Sequence, residues 1–297
     1  MAYKLTFVHK NNDLDINAVQ TSLAPFKIMI GDVVWLSDNK AAQIETDKNL
    51  NIDDIKKIRG HLKIYSTDVF YTPAQNQRKK VFLADMDSTI VTSETLDELA
   101  GEAGIKDQIS EITTRAMRGD LDFFDAIRER VGLLKGLPTS ALQRTLDDTQ
   151  ISKGADILTK TLKGHDVFCA LVSGGFTYFT KDIARQLGFD VHHGNILGID
   201  DEKLTGEVID PILDKETKLK FLKQYATQQN VTLGDCITIG DGANDLPMLE
   251  AAQNAGGLGI GYHPKPLLQD ALINCIIHTD LTSVLYAQGY KKKEFSI

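Results

Sequence analysis

Beyond residue 79, short apolar runs alternate with amphipathic stretches, and several of the runs stop at a polar cluster. Residues 81–84 and 167–172 are apolar without alternation, the pattern of strands buried on both faces, and the largely apolar 236–239 reads as a third strand. Residues 176–188 and 218–228 carry apolar positions at helical spacing, and Gly188 is placed to end the first of these helices. Residues 195–209 predict a hairpin turning at 200–203, and further strands are predicted at 255–260 and 274–278. Strands alternating with helices predict a mainly parallel α/β sheet. Between the first strand and residue 167 lie about 80 residues, far more than one crossover helix. Residues 94–162 read as mostly helical, with helical spacing over 121–134 and a helix start after Pro138. This insertion predicts a helical cap, about residues 92–163, that closes over one end of the sheet and excludes water.

The first 76 residues form a separate unit. Strands are predicted at 3–9, 27–36 and 63–71, and helices at 17–26 and 52–62. The segment from Thr72 to Arg78 is a polar, proline-containing linker. The expected organisation is a small α+β domain at 1–76, whose element order resembles an ACT-like regulatory domain, followed by a larger domain at 77–297.

The balance of charge narrows the partners. A net charge of −8 disfavours nucleic acid or an anionic membrane surface but leaves anionic small molecules open, since a metal and a few cations dominate a pocket. Cys169, Cys236 and Cys275 form no CxxC pair and read as reduced core residues. Neither a leader-like apolar segment nor a run of 18 apolar residues occurs, so a soluble, cytoplasmic protein is expected. The assembly state is open, a homodimer among the alternatives. His192 and His193 look like a ligand pair, but neighbours on a strand point to opposite faces.

The candidate chemistry sits where strands end. Asp85 and Asp87 follow the first buried run, Ser173-Gly174-Gly175 the second, and Asp241, Asn244 and Asp245 the third. In a parallel sheet these ends share one edge, where ligands of open α/β sheets bind. Two neighbouring carboxylates need a cation or a shared proton, and hard oxygen donors suit Mg²⁺. Aspartate is also an established nucleophile toward phosphoryl groups. Glycines after a strand and before a helix permit close approach of an anion to backbone N–H groups. Lys215, Lys218 and Lys220 are candidates for the cation that neutralises transferred charge.

Together, Asp85-Met86-Asp87-Ser88-Thr89, Ser173-Gly174-Gly175, a later lysine and Gly240-Asp241-Gly242-Ala243-Asn244-Asp245 resemble the signatures of the haloacid dehalogenase superfamily of phosphatases. Glu94, Phe123, Ile127 to Val131 and Leu133 to Leu137 make the finer pattern similar to that of the phosphoserine phosphatases, over about residues 79–290. The resemblance implies a Rossmann-like core with a cap and Mg²⁺-dependent hydrolysis of O-phospho-L-serine. It implies Asp85 as nucleophile and Asp87 as acid and then base. The Asp85 and Asp241 carboxylates and the Asp87 carbonyl would hold the metal, with Asp245 behind them. Ser173 and the Gly174 N–H would hold phosphate oxygens, Asn244 a phosphate oxygen or the lysine. Ungapped alignment to Gly240-Asp241 selects Lys218 over Lys215. Glu94 would pair the substrate ammonium and Arg130 its carboxylate, beneath an apolar lid of Met117 and Phe123. A related phosphorylated amino acid (phosphothreonine or phosphohomoserine), transfer of the phosphoryl group to another alcohol, and an amino-acid-sensing regulatory role are the alternatives.

Overall fold

The computed structural model describes residues 2–118 and 120–297, and of Met117 only the backbone. The N-terminal unit runs β1 (Tyr3–His9), α1 (Ile16–Leu23), β2 (Val34–Ser37), β3 (Ala41–Thr46), α2 (Ile52–Leu62) and β4 (Thr67–Pro73). Its sheet has the order β2-β3-β1-β4 with antiparallel neighbours, a βαββαβ arrangement. Asp15 caps α1, and Asn51 with Asp54 forms a capping box on α2. Leu5, Phe7, Ile44, Ile55, Ile58 and Val69 fill the space between sheet and helices.

Three points of the sequence reading change here. The strand expected at 27–36 exists only from Val34, because Lys27 adopts a left-handed conformation and residues 28–33 run irregularly. β3 is a strand that the sequence reading missed: its polar alternation is limited to Gln43 and Glu45, among residues of which Ala41 to Ile44 are all buried. Residues 63–65 form a short 3₁₀ turn, and β4 starts at Thr67 and continues into the expected linker.

The larger unit begins with β5 (Val81–Ala84), followed by α3 (Thr95–Glu102), α4 (Lys106–Arg118), α5 (Phe123–Gly132), α6 (Thr139–Asp148) and α7 (Ala155–Lys163). Then come β6 (Phe168–Phe176), α8 (Thr177–Leu187), β7 (Val191–Asp200), β8 (Lys203–Ile209), α9 (Lys215–Gln228) and β9 (Cys236–Gly240). The chain ends with α10 (Leu246–Asn254), β10 (Leu258–Tyr262), α11 (Pro266–Ala271), β11 (Asn274–Ile276) and α12 (Ser283–Ala287). The sheet order is β11-β10-β9-β5-β6-β7-β8, parallel except for the β7–β8 hairpin. β5 therefore lies between β6 and β9. Its Ala84 is in register with Leu171 and Ile239, which brings Asp85, Ser173 and Asp241 to one edge.

The chain leaves this edge after Val91 and returns at Ile151, where the two residues form a bridge. The Thr92 N–H donates to the Gln150 carbonyl, and the Ser152 N–H to that of Ile90. α3 to α6 lie within this excursion, while α7 lies against β6 and α8 of the main layer. His192 and His193 on β7 face opposite ways, toward Thr180 of α8 and Tyr225 of α9. The N-terminal unit docks beside β11. The buried Asp68 carboxylate accepts N–H bonds from Ile277, His278 and Thr279, and the Thr279 hydroxyl. Among the described residues, no helix is long and apolar enough to cross a membrane.

Candidate active site

Each strand end contributes a different element. After β5 the chain turns sharply, with Ser88 at φ 53°, so that Asp85 and Asp87 stand on one side of the loop. The Asp87 carboxylate is held on both oxygens: Oδ1 accepts the Thr95 N–H at 2.9 Å, at the start of α3, and Oδ2 accepts the Ser173 hydroxyl at 2.8 Å. Ser173 Oγ also accepts the Gly175 N–H at 2.8 Å. β6 was expected to stop at residue 172 but runs on to Phe176, with a register shift between Val172 and Phe176 that carries Ser173-Gly174-Gly175. Such an irregularity re-aims side chains. A Cβ on Gly175 would stand 2.7 Å from Asp87 Oδ2, so glycine is what lets the loop and strand approach. The buried Asn195 of β7 fixes this segment by donating to the Gly174 carbonyl at 2.7 Å.

α9 supplies the cation. Asp214 and Thr217 form the capping box that sets where α9 starts. Lys215 and Lys220 are exposed, and Lys218 is buried. Its Nζ lies 2.6 Å from Asp85 Oδ1 and 2.6 Å from Asp245 Oδ1. Asp245 turns back from the β9 loop, its Oδ2 accepting the Gly242 N–H at 3.2 Å. Gly240 makes room for this, since a Cβ there would lie 2.3 Å from Asp245 Cγ. Asp241 Oδ2 is 3.1 Å from Lys265 Nζ.

These groups face a cavity of about 340 Å³ between sheet edge and cap. Asp85, Asp87, Ser173, Gly174, Lys218, Asp241 and Asn244 line the sheet side; Glu94, Phe123 and Arg130 line the cap side. Phe123 is 41% exposed and edge-on to Phe124, so it forms cavity wall rather than cap core. The Met117 side chain lies outside the described residues. Lys218 is bonded to Asp85 and Asp245, while Asn244 stays exposed on the cavity side. Ser88 Oγ donates to Glu94 Oε1 at 2.8 Å, and Arg130 Nε to the Ala126 carbonyl at 3.2 Å.

The electrostatics are those of crowded acids. Burial, reinforced by repulsion from Asp245, pushes the Asp85 carboxyl well above the usual carboxylate range despite Lys218. Burial also raises Asp241, against the pull of Lys265, and raises Glu94, with Asp87 adding to it. Burial works against the Lys218 ammonium, but the Asp245 and Asp85 carboxylates outweigh it and raise its pKa. The site thus holds one buried ammonium among three carboxylates, Asp85, Asp241 and Asp245, that each offer an oxygen within 4.8 Å of the others.

That donor set fits a hard divalent cation. Both Asp245 oxygens accept hydrogen bonds, from Lys218 and from the Gly242 N–H. Asp85 and Asp241 each keep one oxygen outside their lysine pair. The Asp87 carboxylate accepts one hydrogen bond on each oxygen, from Thr95 and from Ser173. Two contributors escaped the sequence reading, the Thr95 N–H and Lys265, while Gly175 and Gly240 stood inside the recognised motifs without these contacts being foreseen. Of the two, Lys265 had a signal, the proline after it that marks a helix start.

Comparisons with known proteins point the same way. The family model of haloacid dehalogenase-like hydrolases matches residues 82–250. The phosphoserine phosphatase of Archaeoglobus fulgidus is 38% identical over 231 residues, covering 77% of this chain and 66% of that protein. The chain spans between about half and two thirds of the length of several such curated relatives. A crystal structure of a HAD family hydrolase from Salmonella enterica serovar Typhi has a TM-score of 0.86 at 27% identity, covering 96% of this chain and 98% of that one. A structure of a phospho-aspartyl intermediate analogue of phosphoserine phosphatase has a TM-score of 0.64 at 38% identity, covering 70% of this chain and 98% of that one.

Proposed function

The chain belongs to the haloacid dehalogenase-like hydrolases, and from that premise we propose that it hydrolyses O-phospho-L-serine to L-serine and phosphate. One observation carries the reading: a single cavity joins a nucleophile, an ammonium and an anion-holding strand end on one side to Glu94 and Arg130 on the other. Phosphoserine has a dianionic phosphate at one end and an ammonium and a carboxylate at the other. Glu94 matches the ammonium, and Arg130, beside Glu94 and Asp97, matches the carboxylate. Phe123 covers the methylene between them.

In the first step an Asp85 carboxylate oxygen bonds to phosphorus, and the bond from phosphorus to the serine oxygen breaks with its electron pair on oxygen. Asp87 supplies the proton that makes this oxygen a hydroxyl. In the second step Asp87 takes a proton from water, the water oxygen bonds to phosphorus, and the Asp85 oxygen leaves as carboxylate. Lys218, Ser173 and the Gly174 N–H stabilise charge on the equatorial oxygens. Mg²⁺, held by the Asp85 and Asp241 carboxylates and the Asp87 carbonyl, would neutralise phosphate charge when bound. Cys169, Cys236 and Cys275 are buried free thiols, which fits a reducing cytoplasm.

Phosphate release from O-phospho-L-serine in the presence of Mg²⁺ tests the reading, with EDTA and Asp85→Asn as controls and phosphothreonine and phosphoethanolamine as competing substrates. Turnover confined to Mg²⁺ and wild type, with phosphoserine preferred, is expected. Retained turnover in either control, or preference for phosphoethanolamine, overturns it.

A further inference from the structure

Lys265 has no part in the chemical steps above, yet it touches Asp241 twice. Its Nζ lies 3.1 Å from Asp241 Oδ2, and its N–H donates to the Asp241 carbonyl at 3.0 Å. Lys265 precedes α11, a helix of six residues. So short a helix has little stability of its own, and its position is set by what grips it.

The grip comes from the N-terminal unit. Arg59 of α2 is 8% exposed and donates to the Ile273 carbonyl at 2.7 Å, with longer bonds to Leu272 and Gln269. Lys56, one turn earlier, pairs with Asp270 at 3.0 Å. Gln269 then donates through Nε2 to the Pro264 carbonyl at 2.8 Å, which ties the gripped end of α11 to the loop bearing Lys265. Hydrogen bonds joined by short covalent stretches of chain thus run from α2 to a carboxylate of the candidate metal site.

We propose that Lys265 is a positioning residue for Asp241, and that the N-terminal unit sets its stance through Arg59 and α11. This rests on the reading of Asp241 as a metal ligand. By occupying Oδ2, Lys265 leaves Oδ1 outside the ion pair. A lysine that merely balanced charge would repel a bound dication, so its removal would tighten metal binding. A positioning lysine does the opposite, because loss of the group that orients a ligand costs about 10–100-fold in metal affinity.

Mn²⁺ alone, titrated into the full-length protein with free Mn²⁺ read by electron paramagnetic resonance, decides between them. Wild-type binding that Asp241→Asn abolishes establishes the metal reading; its absence overturns both. Lys265→Met should weaken binding about tenfold or more, and Lys265→Gln, a donor without charge, should restore most of it. Unchanged or tighter binding by Lys265→Met overturns the proposal. Arg59→Met should weaken binding too, without adding to Lys265→Met in the double variant. Gln269→Ala, which cuts the same series within α11, carries the same expectation should Arg59→Met fail to fold. Wild-type affinity in a folded Arg59→Met or in Gln269→Ala overturns the role of the N-terminal unit.

Discussion

Ser173 Oγ donates to Asp87 Oδ2 at 2.8 Å, which joins the end of β6 to the loop after β5. The same hydroxyl accepts the Gly175 N–H, so here its proton points to Asp87, and to hold a phosphate oxygen it would have to turn from that carboxylate. Ser173→Ala removes this tether and leaves Asp87 held, among the described residues, by the Thr95 N–H. Phosphate release should fall about 10²–10³-fold in kcat/KM, the range expected when an acid–base group and a charge-stabilising donor are both disturbed. Steady-state kinetics beside a thermal melt checks this; a loss below fivefold removes Ser173 from the proposed machinery.

Gly175 gives a second test of the same geometry. A methyl there meets Asp87 Oδ2 at 2.7 Å and Ser173 Oγ at 3.0 Å, and the backbone needs no left-handed conformation. Gly175→Ala is therefore a steric displacement of Asp87 with little conformational strain. Its kcat should drop more than tenfold, while stability falls by no more than about 1–3 kcal/mol, the usual cost of overpacking. A denaturant melt and kcat measured on one preparation separate the two effects.

What was legible in the sequence follows from how each signal arises. Asp85 and Ser173 each end an unbroken apolar run and Asp241 ends one interrupted only by Thr238, and buried parallel strands produce such runs. The lateral order that places β5 between β6 and β9 was not readable, since register is a non-local property. β3 was overlooked because its polar alternation is limited to Gln43 and Glu45, and the buried Gln43 is bonded to Thr6 Oγ1 at 2.8 Å. Lys265 and Gly240 act through approach distances to Asp241 and Asp245, and distance leaves no periodic mark in a sequence.

Glu94 and Arg130 bear on choice of substrate rather than on bond breaking. Glu94→Gln should lower kcat/KM for phosphoserine about 10–100-fold, the equivalent of a lost charged hydrogen bond. It should leave turnover of a phosphate monoester lacking the ammonium nearly unchanged. Arg130→Met should behave in the same way toward phosphoethanolamine, which has no carboxylate. Parallel losses on full and truncated substrates would show that these side chains shape the cap and not the substrate's amino-acid end.

Divalent metal and protons compete for the Asp85 and Asp241 oxygens, and this competition fixes a pH dependence of stability. Both carboxyls are raised, chiefly by burial. In metal-free protein the folded state therefore keeps these protons to higher pH than the unfolded chain does. The contribution of the two carboxyls to stability then falls as pH rises from the ordinary carboxylate range through the raised values. Above that window both are ionised, repulsion is at full strength, and Mg²⁺ relieves it most. At about 100 times its Kd, Mg²⁺ should add about 2.7 kcal/mol. As pH falls back through the raised values, protons reoccupy the oxygens and the benefit of metal should fade. Thermal melts with Mg²⁺ and with EDTA, from about pH 7.5 down to about pH 5, should show a gap in Tm that narrows with acidity. Asp241→Asn should show a smaller gap throughout. A gap that is absent in wild type, or that does not change with pH, contradicts a metal held by Asp85 and Asp241.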